Sequence, residues 1–146
     1  MSDSALPLYR FSLDVPAPVN VVAARLRGVV VEDFSPRPFA GEVEDDSFRI
    51  RRRIRYRNSF LPRIEGHMAS ASGGTRVDVA MSMHPLVLVF TLFWLSFVGY
   101  GAWSAETDLI PCGMFVFGLT LSLGGFFTEA FIARTLLSNA LLDTTQ

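Results

Sequence analysis

In the stretch LYRFSLDVP, Tyr9, Phe11, Leu13 and Val15 alternate with Arg10, Ser12 and Asp14. Side chains switch face at every residue of a strand, so this period of two predicts a half-buried β-strand. The period then changes. In PAPVNVVAARLRGVV, Val19, Val22, Ala23 and Leu26 recur at helical spacing. Pro18 suits a first helical turn and Gly28 suits the helix end. EDFSPRP reads as a loop. Four further strands are expected at 39–44, 48–57, 63–70 and 75–83, separated by EDDS, NSFLP and the Gly-rich turn SASGGT. In the third of these, Ile64, Gly66 and Met68 oppose Arg63, Glu65 and His67; in the fourth, Thr75, Val77, Val79, Met81 and Met83 share one face. Such a series makes an antiparallel meander.

Periodicity then gives way to continuous apolarity. Residues 86–103 read LVLVFTLFWLSFVGYGAW and residues 109–128 read LIPCGMFVFGLTLSLGGFFT; from Pro85 to Thr128 the charged residues are Glu106 and Asp108. Each run is about 18 to 20 residues, or roughly 27 to 30 Å as helix, which matches a hydrocarbon core. The rest of the chain is too small to wrap two such helices. A transmembrane hairpin is therefore expected over 84–128, with Pro85 in the first helical turn. After it, Ala130, Ala133, Leu137 and Leu141 lie near one face of a helix over 129–146, flanked by Phe131 and Leu136. That helix is expected to pack back on the sheet; lying flat at the lipid interface is the alternative. The expected fold is α+β: an α+β domain over 1–83, a two-helix hairpin over 84–128 and a C-terminal amphipathic helix over 129–146.

Composition locates the charge. The chain has 146 residues, 50 % of them hydrophobic, and a formal net charge of −1; its mean hydropathy is +0.35. All 13 basic residues are arginine, and 12 of them precede residue 84, against 10 acids there. Beyond it, Arg134 stands against four acids. The N-terminal MSDSALPLYR lacks a basic start and an apolar core, so the first span is expected to do the targeting itself. Arginines crowd the chain before the first span and the connection SAETD is acidic, so both termini are expected in the cytoplasm of a bacterial inner membrane. The lone Cys112 lies in the second apolar run and reads as a packing residue; a single cysteine forms no internal disulfide and no zinc site.

IRYRNSFLPRIEGHMASASGGTRVDVAMSMHP, with the later PCGMFVFG and GGFFTEA, resembles a group of small, uncharacterised bacterial two-span membrane proteins over residues 39–132. The resemblance implies the architecture and no chemistry. FSLDVPAPVNVVAARL is similar to the opening of START-like helix-grip domains, which implies a curved sheet gripping a C-terminal helix around a ligand cavity.

The most unusual strand is SFRIRRRIRYR. Arg49, Arg51, Arg53, Arg55 and Arg57 occupy alternate positions, against Phe48, Ile50, Arg52, Ile54 and Tyr56. As a strand this is a cationic face about 27 Å long, at roughly 3.4 Å per residue. One reading is a structural face of paired charges, with Glu42 opposite Arg49, Glu44 nearby, and Glu65 reaching Arg55 or Arg57. The others are docking to anionic lipid headgroups or to an acidic protein partner. Nucleic acid is disfavoured, since Phe48 and Tyr56 point away from the arginines. Arg52 falls among the apolar positions and marks a strand end, a bulge or a cation lining a pocket. Glu129 is expected to be a solvated charge at the interface, a salt bridge to the arginines being the alternative.

No catalytic grouping, cofactor motif or metal-ligand spacing stands out around His67, His84 or any acid. In the hairpin, Trp94 falls at the depth of Gly118, with Ser122 and Gly125 on the same small-residue stripe, so these are expected to pack together. The expected protein is a non-enzymatic membrane protein with a cytosolic binding module and a capacity to homo-oligomerise. The alternatives are a membrane-perturbing effector of a toxin or defence system, and a START-like lipid-binding module.

Overall fold

The computed structural model describes residues 7–31, 38–55, 58–104 and 109–142. These form β1 (Pro7–Val15), α1 (Val19–Val29), β2 (Val30–Val31), β3 (Phe39–Val43), β4 (Ser47–Arg52), β5 (Arg63–Ala71), β6 (Gly74–Ser82), α2 (Pro85–Ser104) and α3 (Leu109–Leu142). The architecture is α+β. The sheet order is β1-β6-β5-β4-β3-β2, antiparallel apart from the two-residue parallel pairing of β2 with β3. The meander β3-β4-β5-β6 forms as its alternation predicts, and β1 closes on β6 along its whole length, Tyr9 opposite Met81 and Val15 opposite Thr75. β2 was not expected: two valines after a helix carry no period.

One face of the sheet is buried. Phe48, Ile50, Ile64, Met68, Val77, Val79 and Met81 meet Val22, Ala23 and Leu26 of α1 and Phe126, Ala130, Ala133, Leu137 and Leu141 of α3 in one core. Two glycines shape it. Gly73 turns the β5–β6 hairpin at φ +100°, a conformation costly for any residue with a Cβ. Gly66 lies opposite Phe48, and a Cβ there would fall 2.2 Å from the Phe48 ring, so the ring fills the space the missing side chain leaves.

Three expectations need correction. α1 runs through Gly28 to Val29, with the chain turning extended at Val30, so Gly28 lies in the last turn rather than ending the helix. β4 ends at Arg52, not at residue 57. Phe39, which follows Pro38, pairs with Arg52, and Arg63, which follows Pro62, pairs with Arg51; the Arg53 N–H makes one more bond, to the Pro38 carbonyl at 2.8 Å, and the ladder goes no further. Proline offers no N–H to extend a ladder. Arg53, Ile54 and Arg55 therefore belong to the β4–β5 connection, while Tyr56 and Arg57 lie outside the described residues. Finally, the second apolar run and the C-terminal helix are one helix of 34 residues, α3. No glycine or proline interrupts the chain between Phe126 and Leu142, so the helix has no reason to break where its environment changes.

The second half of α3 docks on the sheet, as its apolar stripe predicts. Arg134 fixes it to β1, donating to the Tyr9 hydroxyl at 2.5 Å and lying 5.2 Å from the Phe11 ring centroid. Arg25 of α1 donates to the Leu141 carbonyl at 2.7 Å, satisfying a backbone acceptor at the end of α3. The first half of α3 projects beyond the sheet beside α2. Both helices are long and apolar enough to cross a membrane, with mean hydropathy 1.8; only 6 % of the most apolar stretch of α2, and 11 % of that of α3, is buried.

Candidate functional site at the junction of sheet and helices

The arginines of β4 are not equivalent. Arg49, Arg51 and Arg63 are exposed on the outer face. Arg49 stands between Glu42 on β3 and Glu65 on β5, and its Nε donates to the Glu65 carboxylate at 3.2 Å. The expected partner of Glu65 was Arg55 or Arg57; the register places it instead beside Arg49, because the β4–β5 connection takes up residues 53–62 rather than the tight turn NSFLP. One row further, Arg51 lies between Ala40 and Arg63, and Arg63 lies opposite Ser82. Like charges directly opposite each other oppose strand pairing. Arg53 and Arg55 follow, both exposed. The acids thus neutralise the end of β4 remote from the long helices. Arg51, Arg53, Arg55 and Arg63 cluster at the other end, where Ser82 is three residues from the start of α2. On β1 and β6, Asp14, by hydrogen bond and charge, and Asp78, by charge, hold the Arg76 guanidinium above its ordinary range.

Arg52 points to the opposite face. It lies across from the buried Phe39 and forms an ion pair with Glu129 of α3. The Arg52 side chain is 19 % exposed and that of Glu129 4 %. Glu129 is therefore not the solvated interfacial charge expected. It shares the sheet-facing stripe of α3 with Phe126, Ala130 and Ala133, and this position buries it against the end of β4. Asn58 adds a longer contact, its amide donating to Glu129 at 3.4 Å, while its own Oδ1 accepts the Phe60 N–H at 3.0 Å. That local turn sets Phe60 against Gly125, where an added Cβ would lie 3.2 Å from the ring. Gly125 thus packs on the β4–β5 connection and not, as expected, on α2.

Trp94 lies beside Gly118: a Cβ added there would be 3.4 Å from Trp94 Nε1. Ser122 is buried, and its hydroxyl donates to the Gly118 carbonyl at 2.7 Å, within α3. Closer to the connection between the helices, a Cβ on Gly99 would be 3.2 Å from Phe115, and one on Gly101 3.8 Å from Pro111. Beside this contact runs a groove of about 780 Å³ between α2 and α3, floored at the sheet end by Ser59 and Phe60.

The remaining candidates play local parts. His84 accepts the Leu86 N–H at 3.2 Å and so caps α2; His67 is exposed and opposite Asp78; Cys112 is exposed on α3. Among the described residues, no three His, Cys, Asp or Glu side chains are grouped to hold a metal ion. The arrangement offers anion attraction, a buried ion pair joining sheet to helix, and an apolar groove. Comparison with protein-family models, with curated proteins and with solved structures finds no match to this chain.

Proposed function

We propose that this is a non-enzymatic protein of the bacterial inner membrane. In this reading α2 and the first half of α3 cross the bilayer as a hairpin, and the sheet stands on the cytoplasmic side as a binding module for anionic surfaces. The carrying observation is the exposure of the two helices. Leu86, Phe90, Phe93, Phe97, Trp103, Leu109, Ile110 and Phe117 are each more than 60 % exposed, spread along the length of both helices. Soluble monomers rarely expose contiguous apolar patches beyond a few hundred Å². The cluster of Arg51, Arg53, Arg55 and Arg63 at the helix end of the sheet supports the orientation, because cations concentrate on the cytoplasmic side and each adds about 1 kcal/mol of attraction near anionic headgroups.

The test is fractionation of cells expressing the full chain, followed by a carbonate wash, with a cysteine introduced at Ala105 in a Cys112→Ala background. The protein is expected in the washed membrane pellet, and the new cysteine is expected to react with an impermeant thiol reagent in intact cells. Release by carbonate would remove the membrane reading; labelling only after lysis would reverse the orientation. A START-like lipid-binding module is the second reading, supported by the packing of the C-terminal part of α3 along the sheet.

A further inference from the structure

We infer that Arg51 and Arg63 together form a site for one terminal phosphate group, a phosphomonoester, on the outer face of the sheet. The inference names the ligand chemistry of the anion-binding surface proposed above and rests on that reading.

The register brings the two side chains together. Arg51 on β4 is directly opposite Arg63 on β5. Backbone N–H and C=O groups turn to alternate sides along a strand. The Arg53 N–H reaches the Pro38 carbonyl on the β3 side, so Arg51, two residues earlier, also turns its backbone toward β3. On β5, the Met68 N–H reaches the Asp46 carbonyl at 2.7 Å, on the β4 side. Arg63 is an odd number of positions from Met68 and so turns its backbone toward β6. Arg51 and Arg63 are thus a non-hydrogen-bonded pair. In such pairs the Cα atoms stand about 4.5 Å apart, against about 5.5 Å in hydrogen-bonded ones, and the side chains are closest.

Charge selects the occupant. Both arginines are exposed, and among the described residues neither forms an ion pair with an acid. Glu65, the acid in the adjacent row, is engaged by Arg49. Their own row is completed by Ala40 and Ser82, uncharged and too short to cover two guanidinium groups. Like charges held directly opposite each other oppose strand pairing, and one anion between them removes that penalty. Each guanidinium offers a fork of two N–H donors. A phosphomonoester has three free oxygens and carries about 1.5 to 2 negative charges near pH 7, so it serves both forks and both charges. A phosphodiester, with two free oxygens and a single charge, gains less from the second arginine. In the proposed orientation the pair lies near the passage from β6 into α2, at the level of lipid headgroups. Phosphatidic acid is therefore one source of the monoester and a soluble phosphate ester the other.

The full chain, held in a nonionic amphipathic polymer, is floated with phosphatidylcholine vesicles that contain either phosphatidic acid or phosphatidylglycerol, matched in surface charge. The wild type is expected to bind the phosphatidic acid vesicles about tenfold more tightly, the ratio that one extra charge-assisted hydrogen bond supports. Arg51→Lys combined with Arg63→Lys keeps both charges and removes both forks. This variant is expected to bind both vesicles as the wild type binds phosphatidylglycerol. Glycerol 3-phosphate, compared with sodium chloride at equal ionic strength, separates the two sources. If it removes the preference, the site also takes the free ester; if the preference persists, the site takes the ester from lipid, and it stands in either case. Equal binding of the two vesicles by the wild type would overturn the site without recourse to any variant. So would a preference that survives in the lysine variant. Failure to bind either vesicle would remove the anionic-surface reading itself, whereas equal binding to both leaves that reading and removes the phosphate site alone.

Discussion

Glu129 is the residue on which the two parts of the molecule meet. Moving a carboxylate out of water costs several kcal/mol, and only a well-placed partner offsets this. Arg52 supplies the charge and Asn58 a further donor. Removing one partner leaves the other charged and enclosed. Arg52→Met is therefore expected to destabilise the detergent-solubilised full chain by about 3 kcal/mol, the lower end of the range for broken buried pairs, because Arg52 keeps some contact with water. Arg52→Met with Glu129→Leu is expected to recover most of the loss, since an apolar pair of similar volume needs no desolvated charge. Thermal unfolding of the wild type and the three variants, including Glu129→Leu alone, measures both; a double variant no better than its worse parent would contradict the account. The pair was half legible. Arg52 stood out by breaking the alternation of its strand. Glu129 did not, although it is three residues after Phe126 and four before Ala133, because a boundary drawn at residue 128 separated it from the stripe it shares.

At the scale of elements, strong alternation located the strands and their faces: Ile64, Met68, Val77, Val79 and Met81 are buried as their positions predict. Strand length was less legible, because it depends on neighbours. Nothing inside the arginine run marks Arg52 as its last strand residue; the prolines beyond which the ladder does not extend stand just before the two neighbouring strands, at positions 38 and 62. Helix continuity was similarly hidden, since burial by lipid and burial by a sheet both call for apolar side chains on an unbroken helix. The α2–α3 contact was legible from small residues. A Cβ at Gly118 meets Trp94 and Leu95 at 3.4–3.7 Å, which is ordinary van der Waals contact. Gly118→Ala is therefore expected to leave stability within about 0.5 kcal/mol of wild type, whereas Gly118→Leu overpacks the contact and costs about 1 to 3 kcal/mol. Unfolding midpoints in detergent compare the two; equal destabilisation by both would mean that backbone approach, not side-chain volume, sets this contact.

At the scale of the whole molecule, α3 is both a wall of the hairpin and a part of the sheet's core. Residues 1–83 alone lack Phe126, Ala130, Ala133, Leu137 and Leu141, all nearly inaccessible to solvent, so the sheet is not expected to fold without the helix that follows the hairpin. In the proposed membrane reading, one continuous helix also fixes which end of the sheet faces the bilayer. Arg51 and Arg63 repel each other across β4 and β5, an arrangement unfavourable in isolation and relieved by an anionic surface. Arg49 is different, because Glu42 and Glu65 flank it. This asymmetry makes a residue-specific prediction for surface attraction. The full chain is held in a nonionic amphipathic polymer that covers the hairpin, and its binding to vesicles of phosphatidylglycerol and phosphatidylcholine is measured by flotation. Replacing Arg51, Arg53, Arg55 and Arg63 together by Gln is expected to weaken binding by up to about a thousandfold, at about 1 kcal/mol per arginine near the surface. Arg49→Gln is expected to change it little. Raising the ionic strength from about 0.1 M to about 1 M shortens the screening length from about 10 Å to about 3 Å, so wild-type binding is expected to collapse toward that of the fourfold variant. If Arg49→Gln weakens binding as much as the fourfold change does, attraction follows net charge alone, and the cluster beside the helices has no special part in it.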